Sequence, residues 1–185
     1  MEKLTKKQQL ELFDGLFGSF ELIDAYIESG AEFCKEAQIK LCELDNNMPI
    51  AYIKKGHTLC NEAQLKLFTC HAPLNEILVS KYLNSHFLCP EAEPKLCDLP
   101  MGSILLANHY LRVKQPLTKE TQIRLLEMKP IEKAFLCQLY VRNFTQDKMV
   151  TKDVCPELFD YAKKAGLLDQ DITSEWDKDT SHSEI

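Results

Sequence analysis

Residues 33–44 read FCKEAQIKLCEL, and this stretch decides the fold because the same pattern recurs three more times along the chain. The other copies are LCNEAQLKLF at 59–68, LCPEAEPKLCDL at 88–99 and LTKETQIRLLEM at 117–128. Weaker copies begin at residues 4 and 150. Recurrence at a nearly fixed spacing is the sequence signature of a repeat protein, and atypical end units are expected because each end faces water.

Each copy has the spacing of an amphipathic helix, with apolar or small residues at its first, fifth and ninth positions, as in Leu59, Ala63 and Leu67. A second helix is predicted after each copy, because five of the six tyrosines lie six to ten residues before the next copy. One helical turn before each tyrosine there is an apolar residue on the same face. The tyrosines are Tyr26, Tyr52, Tyr82, Tyr110 and Tyr140, and the earlier residues are Leu22, Met48, Leu78, Leu106 and Leu136. We therefore predict two helices, A and B, in each unit, with the tyrosine in the core between them.

Helix boundaries are also indicated by local chemistry. Thr5, Thr118 and Thr151 occupy the expected N-cap positions of A helices. Cysteine replaces threonine at Cys34, Cys60 and Cys89, where it is expected to cap poorly. Turn formers separate A from B, at 45–47, 72–73, 100–102 and 129–130.

The predicted fold is an all-α, right-handed α-solenoid over residues 1–168. It contains about six two-helix units of 26–33 residues, which start near residues 4, 33, 59, 88, 117 and 150. Residues 169–185 are acidic and poor in apolar residues, so we predict a disordered tail. This tail holds the only tryptophan, Trp176, for which two roles stay open: an anchor for a partner, or a cap on the last unit.

The repeat resembles the helical repeats grouped with HEAT, armadillo and variant leucine-rich-repeat proteins, and the resemblance covers roughly residues 4–168. The unit is shorter than a typical HEAT repeat and lacks the tetratricopeptide signature residues. Units of the Leu-x-x-Glu-Ala-Gln-x-x-Leu style are similar to those of some bacterial proteins. The resemblance implies a binding scaffold and transfers no catalytic residues.

Composition narrows the partners and the compartment. The formal net charge is −6. Nucleic acids and anionic membranes are bound by clustered positive charge, so this acidic balance argues against either as a partner. No run of about 18 apolar residues is present, and the amino-terminal residues lack the apolar segment of a secretory signal. Eight cysteines without such a signal favour a reducing cytoplasm, although a specialised export system would leave no such mark.

The predicted function is binding of a protein or peptide on the concave surface of the solenoid, by a monomer without cofactor or catalytic residues. A polar and varied column two residues after each tyrosine is the predicted contact surface, although such a column is also typical of a solvated helix face. Its members are Glu28, Lys54, Asn84, Arg112 and Arg142.

A basic stripe supports an alternative, a HEAT-like nucleic-acid-binding protein. The eighth position of four successive copies is basic, at Lys40, Lys66, Lys95 and Arg124. A glutamate stands four residues before each, at Glu36, Glu62, Glu91 and Glu120. That order favours ion pairs within the helix, so we expect a self-paired, solvated face.

No local motif indicates catalysis or metal binding. Cys34 and Cys42 are about 12 Å apart along one helix, which is too far for one zinc ion, so we expect the cysteines to act as small buried apolar residues. His57 and His86 precede unit starts and are predicted to be polar turn residues. An enzyme whose residues come from several units is a third hypothesis.

Overall fold

The computed structural model of the chain describes residues 3–14, 20–44, 47–144 and 150–168. Every regular element in these ranges is a helix, which confirms the all-α prediction. The chain forms two compact units, residues 1–105 and residues 106–185. None of the described helices is both long enough and apolar enough to cross a membrane.

The first unit alternates A and B helices. The A helices are α1 (Lys6–Glu11), α3 (Lys35–Glu43), α5 (Asn61–Lys66) and a 3-10 helix (Glu93–Asp98). The B helices are α2 (Phe20–Glu28), α4 (Met48–Lys54), α6 (Leu74–Leu83) and α7 (Gly102–Leu106), which ends one residue beyond the boundary. Helix α3 packs between α1 and α5, and α4 packs between α2 and α6. Like helices therefore form two layers, A and B.

The second unit continues from a π-helical turn (Ala107–Leu111) into α8 (Lys119–Glu127), α9 (Pro130–Phe144) and α10 (Pro156–Lys164). Helix α9 contacts the π-helical turn, α8 and α10, and α10 also contacts α8. The predictions for the tail 169–185, including those for Trp176, concern residues outside the described ranges.

The core follows the repeat. The alanines at the fifth position, Ala37, Ala63 and Ala92, are completely buried, as are the leucines at the ninth. An alanine at this place lets neighbouring helices approach closely, because its side chain ends at Cβ. All five tyrosines of the B pattern are completely buried too, as predicted.

Two of the five apolar positions predicted one turn before the tyrosines are not buried. Met48 is half-buried, and Pro49 is buried in its place. Leu22 is 56% exposed, and Ile23 is buried in its place. Residues three and four positions before Tyr26 both lie on its side of the helix, and in α2 the one three positions earlier faces the core. Leu78, Leu106 and Leu136 are completely buried as predicted.

The predicted caps are confirmed in α1 and α8. The hydroxyl of Thr5 accepts from the backbone N–H of Gln8, and that of Thr118 accepts from Thr121. Cys34 and Cys60 stand at N-caps, but neither side chain makes a capping hydrogen bond to its helix, as expected. The Thr151 prediction was wrong: α10 begins at Pro156, after Cys155 as its N-cap.

The fourth A element departs from its copies. Pro94 has no N–H to donate to the preceding turn, so an α-helix cannot continue through it. The chain instead forms a turn at 90–92 and then the 3-10 helix, in which the Lys95 N–H donates to the Ala92 carbonyl at 3.1 Å. The next element starts close behind: a Cβ on Gly102 would lie 1.8 Å from the Leu96 carbonyl oxygen, so only glycine fits there.

Candidate interaction surface

A ladder of buried glutamines joins successive A helices in the first unit. The Nε2 of Gln64 donates to the Leu59 carbonyl of its own repeat at 2.8 Å, and its Oε1 accepts from the Cys89 N–H of the next repeat at 2.6 Å. Gln9 and Gln38 make the same two bonds, with Leu4 and Cys34 and with Phe33 and Cys60 respectively. The previous repeat thus accepts a hydrogen bond from the backbone N–H of Cys34, Cys60 and Cys89.

Two tyrosine hydroxyls join this ladder. The Gln9 amide donates to the hydroxyl of Tyr26 at 3.1 Å. The hydroxyl of Tyr52 accepts from the Phe33 N–H at 3.2 Å and lies 3.4 Å from Nε2 of Gln38. Burial raises the pKa of Tyr52 to about 12 and also raises that of Tyr26. These hydroxyls are therefore structural hydrogen-bonding groups and not a ligand-stacking surface.

The ladder changes after Gln64. Glu93 occupies the next equivalent position and is 4% exposed, but a carboxylate has no N–H to donate. In the second unit Gln122 donates to the Leu117 carbonyl at 3.0 Å, while its Oε1 has no hydrogen-bond partner among the described residues. This role of the glutamines was not predicted, although a glutamine at the sixth position of four copies is a visible signal in the sequence.

The exposed side of the A layer is held by ion pairs, but not by the predicted ones. Lys66 lies 2.6 Å from Glu43 of the preceding A helix, and Lys40 pairs with Asp14. Glu36 likewise pairs with Lys6, at 2.6 Å, which lowers the pKa of this carboxyl. These three pairs join one repeat to the next instead of residues of the same helix. In the second unit Arg124 pairs with Glu127, and in the first Lys95 is exposed.

The B layer carries two adjoining depressions. The first has a volume of about 480 Å³ and is lined by Phe20, Asp24, Asn47, Met48 and Ala51. Its lining is mainly apolar, and Phe20 is 53% exposed. It therefore offers an apolar surface that no described part of the chain covers.

The second depression, of about 650 Å³, shares Asn47 and Ala51 with the first. Its other lining residues are Glu28, Ile50, Lys54, Lys55 and Lys81. Lys55 pairs with Glu28 at 2.7 Å, whereas Lys54 and Lys81 form no ion pair within the part of the chain that the structure describes. The structure thus brings together two predicted contact residues, Glu28 and Lys54.

The other predicted contact residues are not brought to these depressions. Asn84 follows α6 and is exposed without lining either one. Arg112 is exposed and Arg142 is half-buried, both in the second unit. Lys55 and Lys81 were missed, because neither belongs to the column two residues after a tyrosine.

Exposed apolar side chains also distinguish the layers. Among the described residues, the large exposed ones lie on B helices or in connections and not on A helices. Those on B helices are Phe20, Leu22, Ile77, Ile104, Ile131 and Phe135.

Four of the eight cysteines are buried and four are half-buried, so the prediction of buried cysteines is confirmed only in part. None of the eight cysteines forms a disulfide, and burial raises the pKa of Cys137 to about 12 and that of Cys42 further. No group of three or more metal-ligating side chains occurs in the described ranges. His57 and His86 are half-buried rather than free in turns, since each stacks on a tyrosine, at ring-centroid distances of 4.4 and 4.9 Å.

Comparison with known proteins gives no relative from which to transfer a role. No family model, curated protein or solved structure matches the chain significantly. Function must therefore be argued from the surfaces described above.

Proposed function

We propose that this chain is a non-catalytic interaction scaffold that binds a protein or peptide on its B helices. In this proposal the two layers continue as a right-handed solenoid of about six HEAT-like units. The protein acts as a monomer in the bacterial cytoplasm. The predicted contact residues Glu28, Lys54, Asn84, Arg112 and Arg142 all belong to the B side of the repeat.

The observation that supports the proposal most is the contrast between the adjoining depressions on the B layer and the ion-paired A layer. An apolar depression beside unpaired cations provides both buried area and orientation for a ligand. On the A surface, Lys6, Lys40 and Lys66 already have carboxylate partners.

The proposal is tested by affinity capture from a native host lysate, with identification by mass spectrometry and rebinding of the purified captured protein. The B-side variant is Lys54→Glu/Arg112→Glu/Arg142→Glu. The matched control is the A-side variant Lys40→Glu/Lys66→Glu/Arg124→Glu, which changes the net charge equally. We expect a protein that is retained by wild type and the control and lost by the B-side variant.

Two results would contradict the scaffold. One is recovery of nuclease-sensitive DNA or RNA that the A-side variant loses, which would favour the basic-stripe alternative. The other is a captured protein that the B-side variant retains while the A-side variant loses it.

A further inference from the structure

We propose that the groove formed by the two depressions binds an acidic peptide segment of another protein. In this complex the carboxylates of the bound segment lie at Lys54 and Lys81. An apolar side chain of the same segment lies against Phe20, Met48 and Ala51. This inference rests on the proposed function and specifies the chemistry of the partner.

The charge of the groove favours an anionic ligand at one end only. Three lysines line the larger depression, and the pairing of Lys55 with Glu28 leaves Lys54 and Lys81 with positive charge to offer. They come from the last turns of α4 and α6, which pack against each other. The chain has a net charge of −6, so most of its surface repels the carboxylates of a ligand. Lys54 and Lys81 attract them, and this contrast directs the carboxylates to the groove.

The other end of the groove selects an apolar side chain. Phe20, Met48 and Ala51 line the smaller depression, and Phe20 is 53% exposed. A single aromatic or leucine side chain of the ligand would remove this apolar surface from water, which favours binding.

The spacing of the two ends fixes the pattern of the ligand. Met48 and Lys54 are six residues apart on α4, so they are separated by about 9 Å along the helix axis. An extended peptide rises about 3.3 Å per residue. The apolar residue and the acidic pair should therefore stand about three residues apart.

Phosphate backbones fit this groove less well. A nucleic acid carries a charge on every nucleotide, whereas Asp24 lines the apolar end and Glu28 lies beside Lys55. A peptide can leave the position opposite Asp24 uncharged. The peptide is thus the ligand that the charges favour.

The test measures fluorescence anisotropy of a labelled synthetic peptide with the full chain. The peptide has one leucine, then two glycines, then two glutamates, within a serine-glycine background. Lys54→Glu/Lys81→Glu should weaken binding by about tenfold or more, and raised salt should weaken wild-type binding. The control Lys163→Glu/Lys164→Glu makes the same charge change in the last turn of α10 and should alter affinity by about twofold or less.

The apolar end is tested with Phe20→Ser against Ile131→Ser, since Ile131 is 86% exposed on another B helix. Only Phe20→Ser should weaken binding. Moving the glutamates next to the leucine should weaken it as well. Circular dichroism confirms that each variant is folded.

Several outcomes would overturn the inference. These are equal binding of a peptide with lysines in place of the glutamates, tighter binding of a single-stranded oligonucleotide, or peptide binding that appears only after residues 169–185 are deleted. The last would make the chain's own acidic tail the occupant. If the peptide fails while lysate capture still yields a protein lost by the B-side variant, the scaffold stands and only the ligand class is wrong.

Discussion

The A and B layers of the first unit come from one repeat, yet they use their polar groups differently. In the A layer, glutamine amides and exposed ion pairs connect each repeat to the next. In the B layer, Lys54 and Lys81 form no ion pair among the described residues and lie beside apolar side chains that face water. This difference supports our proposal that one helix of the repeat provides cohesion and the other provides recognition.

We expect the largest loss of stability when a glutamine of the A-layer ladder is removed. Gln64→Ala should lower the free energy of unfolding by about 2–5 kcal/mol, because it leaves the buried Leu59 carbonyl and Cys89 N–H without their partner. Chemical denaturation measures the change. The exposed Gln138 of a B helix is the matched control, and Gln138→Ala should stay within about 0.5 kcal/mol of wild type. Equal effects would mean that the ladder does not hold the A layer.

Buried thiols give the next largest effect. Burial raises the pKa of Cys137 from 9.0 to about 12, so the unfolded chain loses this proton first. Below pH 9 the Cys137 thiol makes its full contribution to the free energy of unfolding. Above pH 9 this contribution declines by about 1.4 kcal/mol per pH unit. Urea unfolding between pH 9 and pH 10.5 measures the slope. Cys137→Ala should make the slope shallower, and an unchanged slope would argue against a buried neutral thiol.

The buried tyrosine hydroxyls between the two layers should contribute unequally to stability. Tyr52→Phe removes a hydroxyl that accepts from the Phe33 N–H, and should cost about 1–2 kcal/mol. The buried hydroxyl of Tyr82 makes no hydrogen bond of normal geometry in the described ranges, although it interacts with the Leu59 backbone, so Tyr82→Phe should cost less than Tyr52→Phe. Thermal unfolding of the two variants shows which one loses more stability. A larger loss for Tyr82→Phe would contradict the structural hydrogen bond assigned to Tyr52.

The smallest expected effect comes from the A-surface ion pairs. A double-mutant cycle on Glu43 and Lys66, with alanine at each, should give a coupling of about 0.2–1 kcal/mol that shrinks at high salt. Both side chains are partly exposed, so water screens the pair. A coupling well above this range would make the surface pairs, and not the ladder, the main connection between repeats.

Much of the fold could be predicted because the repeat fixes periodicity at several sites at once. The buried tyrosines, the alanines at the fifth position and the threonine caps Thr5 and Thr118 all follow from local pattern. The rest depends on contacts between repeats, which one copy does not contain. The side chain of Lys40 is long enough to reach either Glu36 or Asp14. The packing of successive repeats brings Asp14 to it, and that packing cannot be read from one copy of the repeat.

The candidate site was predictable only in part for the same reason. The column after the tyrosines indicated Lys54 and Glu28, but Lys55 and Lys81 join them through the packing of α2, α4 and α6. The departures also have local causes: Pro94 changes the fourth A helix, and Ile23 replaces Leu22 in the core by a shift of one position.

The central claim, that recognition belongs to the B layer, is tested most directly by lysine acetylation footprinting with and without a captured protein, read by mass spectrometry. We expect bound protein to lower the reactivity of Lys54 and Lys81 and to leave that of Lys40 and Lys66 unchanged. Protection of Lys40 and Lys66 with Lys54 and Lys81 still reactive would contradict it.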